Sequence, residues 1–115
     1  MRYSIIYAEL RPEIAERISV GLILVDGNDI EVVYSGQKLE ALKGLMPLRQ
    51  QQFISDVVSA MRDKGTVKTV ADIDYLSRYS NNLITVTPLR TIDVEATQKN
   101  KERLYKNYIY NSETA

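Results

Sequence analysis

The sequence predicts an α+β fold: an antiparallel meander of three N-terminal strands, one later strand, and about four helices packed with them. Three observations carry this expectation. β-branched and aromatic residues dominate positions 1–34, broken by Arg11-Pro12 and by Asp26-Gly27-Asn28-Asp29. Apolar residues then recur at helical spacing through the middle of the chain. A short apolar run, Leu83 to Thr87, stops at Pro88 before a last helical stretch. Strands that run together ahead of the helices favour a meander over a doubly wound sheet.

Met1 to Leu10 reads as the first strand, with Tyr3, Ile5 and Tyr7 on one face and Ser4, Ile6, Ala8 and Leu10 on the other. Pro12 breaks it, and Ile14 to Arg17 reads as a loop or one helical turn. Ile18 to Val25 and Ile30 to Tyr34 form a hairpin pair. Gly27-Asn28 fills the centre of its turn, since glycine supplies the positive φ that other residues resist. Leu22-Ile23-Leu24-Val25 is apolar on both faces, which predicts a central strand covered on both sides.

Gln37 to Lys43 reads as a short helix with Leu39 and Leu42 inward and Gly44 at its C-cap. A second helix follows Pro47 and runs to about Lys64. Its buried face is Ile54, Val57, Val58 and Met61, with Phe53 beside it and Gln51 on the opposite side. Thr69 and Asp72 have the spacing of a capping box for a third helix, with Ile73, Leu76 and Tyr79 inward and Asn81-Asn82 as its exit. Leu83 to Thr87 is the fourth strand. Ala96 to about Tyr110 is the last helix, with Lys101, Leu104, Tyr105 and Tyr108 on one side, and the polar tail Asn111 to Ala115 is expected to fray.

A chain of 115 residues, 44% hydrophobic and 26% charged, is predicted to be a single domain over residues 1–115. Its basic and acidic side chains cancel, so neither nucleic acid nor an anionic membrane is an expected partner. Residues 1–40 lean acidic and residues 41–70 lean basic, a mild polarity common on solvated surfaces. No apolar run is long enough for a membrane helix, and no cysteine supports secretion, so the expected location is cytoplasmic.

The absence of histidine and cysteine excludes serine–histidine triads, cysteine nucleophiles and His/Cys metal sites within one chain. The five glycines are dispersed, so no phosphate-cradling loop is present. Asp26, Asn28 and Asp29 lack the closing glutamate of a calcium loop and read as a polar turn. No metal or cofactor is expected. Asp72 and Asp74 point apart on a helix and read as first-turn dipole partners.

Two candidate surfaces remain. Arg78, Tyr79 and Asn82, followed by Thr85, Thr87 and Arg90, form a polar cluster with the composition of a ligand or anion site. Eight tyrosines against one phenylalanine point to half-buried rings with wet hydroxyls, or to a contact surface. On the last helix Tyr110 projects well round from Tyr105 and Tyr108. Beside Ile109 it makes a candidate interface patch for a protein partner or a second copy.

The opening Tyr3-Ser4-Ile5-Ile6-Tyr7, then Pro12, Glu16 and Val20-Gly21-Leu22-Ile23-Leu24, resembles a group of short bacterial proteins, a domain of unknown function of the DUF 3037 type. Leu83-Ile84-Thr85-Val86-Thr87-Pro88, Leu104-Tyr105 and Tyr108-Ile109 resemble the end of that pattern, while Ser19 stands where it has asparagine. The resemblance implies bacterial or phage origin, cytoplasmic residence, and a kinase resembling the HipA toxin as a partner. The expected function is a non-enzymatic protein-binding or adaptor module. The alternatives are a small hydrolase or transferase using carboxylate and lysine chemistry, and then a nucleic-acid-binding domain.

Overall fold

The computed structural model describes residues 1–11, 14, 16–78 and 83–109. Five strands and four helices follow in order: β1 (Arg2–Arg11), β2 (Glu16–Asp26), β3 (Asp29–Tyr34), α1 (Gly36–Ala41), α2 (Leu48–Asp63), α3 (Val70–Arg78), β4 (Ile84–Val86), β5 (Arg90–Thr91) and α4 (Gln98–Tyr108). A 3-10 turn, Leu42–Gly44, extends α1. The sheet is antiparallel in the order β3-β2-β1-β4, with β5 also on β1. This is the expected α+β meander, with one strand more than the sequence indicated. Arg90–Thr91 is too short to leave a periodic signal.

The hairpin forms as expected. Asp26 faces Asp29, and Gly27 takes φ 60° between them. Strand β2 begins at Glu16, earlier than expected, because Arg17 pairs with Glu9 and Glu16 with Arg11. Pro12, Glu13 and Ala15, on which part of the expected break fell, lie outside the described residues.

Each face of the sheet carries its own core. On one side Ile6, Ala8, Val20, Ile23, Val25 and Val32 pack with Leu39, Leu42, Ile54, Val58, Met61 and Ile73 of the first three helices. On the other side Tyr3, Ile5, Leu22 and Leu24 pack with Leu104 and Ile109. β1 alternates as its sequence predicts. β2 does not alternate throughout, because the register slips between Ile6–Gly21 and Tyr7–Ser19, leaving Val20 as a bulge. Ile18 and Val20 therefore serve the first core, while Leu22 and Leu24 serve the second.

Helix α2 buries Ile54, Val58 and Met61 as expected, with Val57 half-buried, but Gln51 is buried too, at 3% exposure. Residues 51, 54, 58 and 61 lie on one stripe of a 3.6-residue helix, so the expectation that Gln51 faces outward is corrected. Its Nε2 donates to the Leu39 carbonyl at 2.9 Å, supplying a partner at the C-terminal turn of α1. Phe53 is 44% exposed. Gly44 lies within the 3-10 turn and has no left-handed φ, which corrects its expected capping role.

The Thr69–Asp72 capping box is present. Asp72 N–H donates to Thr69 Oγ1 at 3.2 Å, and Thr69 N–H donates to Asp72 Oδ2 at 3.0 Å. The expected exit of α3 at Asn81-Asn82, its inward Tyr79, and the tail from Tyr110 onward lie outside the described residues. Among the described residues, no helix is long and apolar enough to cross a membrane.

Candidate polypeptide-docking groove

The structure gives the polar cluster expected around β4 a fastening role. Thr87 Oγ1 accepts the Ile5 N–H at 2.8 Å and Thr87 N–H donates to the Ile5 carbonyl at 3.0 Å, so this threonine ties the strand end to β1. Thr85 Oγ1 donates to Glu9 Oε1 at 2.9 Å. Arg90 is exposed on β5 opposite Tyr3, and Arg78 is exposed at the end of α3 beside a shallow depression with Ala71, Asp74 and Tyr75. Among the described residues no hydrogen bond or ion pair joins either arginine to the threonines. Tyr79 and Asn82 lie outside the described residues.

The interface patch expected at the end of α4 is corrected in part. Ile109 is fully buried, because the chain turns inward at the helix end and its N–H bonds to the Tyr105 carbonyl at 2.8 Å. Ile109 thus belongs to the second core, and Tyr110 lies outside the described residues. Tyr108 is 37% exposed, though its ring stacks on Tyr3 with centroids 5.3 Å apart and the two hydroxyls lie 3.2 Å apart. That hydrogen bond to Tyr3 is the main cause holding the Tyr108 hydroxyl above its ordinary pKa.

Lysine and serine do meet, at the β2 bulge. Lys38 Nζ donates to the Ser19 carbonyl at 2.9 Å and lies 3.4 Å from Ser19 Oγ, while partial burial lowers the lysine pKa. Ser19 Oγ, however, donates to the Tyr108 carbonyl at 2.6 Å. The serine proton is directed away from the amine, and both side chains satisfy carbonyls left over by a bulge and a helix end. The geometry is that of a clasp between α1, β2 and α4 and lacks the serine-to-lysine hydrogen bond of an activated nucleophile.

A wider concavity lies elsewhere, along β3. It is an open groove of about 570 Å³ floored by Leu24, Val33 and Tyr34, with Lys101, Glu102 and Tyr105 of α4 as one bank. A second depression of about 340 Å³ runs beside Val32, Met61 and Val67. The two share Glu31, Val33 and Arg62, so together they form a trench on both sides of the outer edge of β3.

The banks are held by specific contacts. Lys101 Nζ reaches Glu31 Oε1 at 3.0 Å, linking α4 to the strand. The Arg62 guanidinium carbon sits 4.4 Å above the Tyr34 ring, and its Nε donates to Asp63 Oδ1 at 3.1 Å. The bond to Asp63, with the Tyr34 hydroxyl nearby, raises the arginine pKa further.

The floor offers backbone. In a two-residue hairpin the residues flanking the turn exchange both ladder bonds, so Asp29, Glu31 and Val33 direct their N–H and C=O toward β2. Ile30, Val32 and Tyr34 direct theirs outward, and β3 is the last strand of the sheet on that side. Natural sheets guard such edges with charged side chains, lysine above all, with proline or with a bulge. Asp29-Ile30-Glu31-Val32-Val33-Tyr34 carries two acids in its first half, Asp29 and Glu31, but has neither lysine nor proline and pairs with β2 without a register shift. The opposite side ends on a three-residue β4 followed by Pro88, which is a guarded edge.

Sequence reasoning placed β3 at the end of a meander and Lys101 on one side of the last helix, but passed over Glu31 and Arg62. The available signal was the lack of lysine and proline in the third strand. No family model, curated protein or solved structure matches this chain.

Proposed function

We propose that the chain is a non-enzymatic protein-binding module that takes an extended polypeptide as an added strand on the outer edge of β3. The observation that carries this reading is the row of outward backbone groups at Ile30, Val32 and Tyr34, lying in a trench with an apolar floor and charged banks. Strand addition draws affinity from main-chain hydrogen bonds and specificity from pockets for alternate side chains. Val33 and Leu24 offer such pockets on one side, and Lys101, Arg62 and Glu102 set polarity along the rim. Cytoplasmic residence, and a HipA-like kinase as one supplier of the strand, come from the family resemblance and belong to the same proposal.

Selection of binders from a random peptide display library, followed by amide hydrogen exchange, tests the reading. Bound peptides are expected to slow exchange at Ile30, Val32 and Tyr34, with little change at Asp29, Glu31 and Val33, whose amides already bond to β2. Val33→Lys, on the groove floor, is expected to weaken those peptides at least about tenfold. Binders that protect a different set of amides, or a library that yields none, would overturn it.

A further inference from the structure

We infer that the strand accepted at this edge is β3 of a second copy of the same chain, in antiparallel register about a twofold axis at Val32. The inference rests on the strand-addition reading above and names its occupant. Five antiparallel registers set outward groups of one β3 opposite outward groups of another. Only the register centred on Val32 uses all of them: Ile30 faces Tyr34 of the second copy, Val32 faces Val32, and Tyr34 faces Ile30. Each such pair exchanges both of its backbone bonds. A symmetric isologous contact of this kind closes on itself as a dimer.

Charge supports the same register. Asp29 shares the groove face with Glu31 and Val33, because alternate strand residues point the same way. In this register Asp29 lies opposite Ser35 of the second copy, and Ser35 lines the groove beside Tyr34 and Arg62. The exposed acidic hairpin tip of each copy therefore meets the exposed Arg62 of the other, twice by symmetry. Arg62 is already oriented by its stack on Tyr34. A formal net charge of zero leaves no long-range repulsion between copies.

The test exploits that symmetry. Wild type is expected to dimerise as its concentration rises in analytical ultracentrifugation. Asp29→Lys places like charges at both contacts, and so does Arg62→Asp, so each variant alone is expected to self-associate at least about tenfold more weakly. An equal mixture of the two restores attraction at one contact and retains the native pair at the other, so the mixture is expected to dimerise where neither variant does. Wild type needs no variant for a second measurement, in which Ile30, Val32 and Tyr34 amides exchange more slowly as concentration increases. A wild type that stays monomeric, or a mixture no tighter than its components, or a dimer with unchanged exchange at those amides, would overturn the inference. Strand addition itself would still stand if the monomer's edge amides gained protection from selected peptides, and it would fall with the dimer if they did not.

Discussion

Gly21 is the residue on which the sheet is least able to compromise. A Cβ there would lie 2.8 Å from the Val33 carbonyl oxygen and 3.1 Å from Ile6 Cδ1, so backbone of the neighbouring strand would have to move. Gly21→Ala is expected to cost about 1–3 kcal/mol. Gly36→Ala, whose Cβ meets nothing within 4 Å, is expected to stay within about 0.5 kcal/mol of wild type. Urea unfolding of the two variants side by side makes the comparison. Gln51 gives the complementary case of a polar side chain inside. Gln51→Ala removes the donor to the Leu39 carbonyl and opens space in the core, for an expected loss of about 1–3 kcal/mol by the same measurement. The Gln51 Oε1 has no partner among the described residues, which holds the net worth of the interaction below that of a fully bonded amide. Gly27 was legible from sequence because turn chemistry is local. Gln51 falls on the helical stripe of Ile54 and Met61, so helical phase marks it as buried while its polar side chain alone marks it as exposed.

At the scale of elements, the start of α3 was the best-read feature. Asp72 accepts backbone N–H groups from Lys68 and Thr69, and these bonds to the charged form lower its pKa. A depressed folded-state value means the interaction stabilises above the ordinary carboxylate range and is lost as pH falls through the lowered value. Asp72→Asn mimics the protonated form. Its melting temperature should lie below wild type at neutral pH, and the gap should close as the solution is acidified. A gap that is constant with pH would remove the charge from the explanation. Other ends were illegible for a stated reason. The termination of α4 and the inward turn of Ile109 depend on a core contributed by β1 and β2, which no window of local sequence contains. The β2 bulge likewise arises from pairing with β1, and Ile18-Ser19-Val20-Gly21 carries no local mark of it ahead of the all-apolar run Leu22 to Val25.

For the whole molecule, the sequence order of strands and helices was enough to obtain the architecture, because consecutive strands pair with their neighbours. It was not enough to divide the helices between the two faces, or to show that α4 leaves part of β3 bare. The bonds made by the candidate ligand cluster were hidden for the same reason. Thr85 and Thr87 looked available in a polar stretch, yet in the sheet their hydroxyls bond to Glu9 and Ile5. The placement of β1 has a further consequence for the time course of synthesis. β1 pairs with β2 and β3 follows directly, but its other ladder, Ile6 to Val86 and Ala8 to Ile84, waits for a strand made much later. At ribosomal speeds the stretch from Tyr34 to Ile84 takes roughly 3 to 10 s to produce. Through that interval a nascent three-stranded meander presents two unpaired edges, one of which β4 eventually closes, while no described strand of the same chain closes the edge of β3.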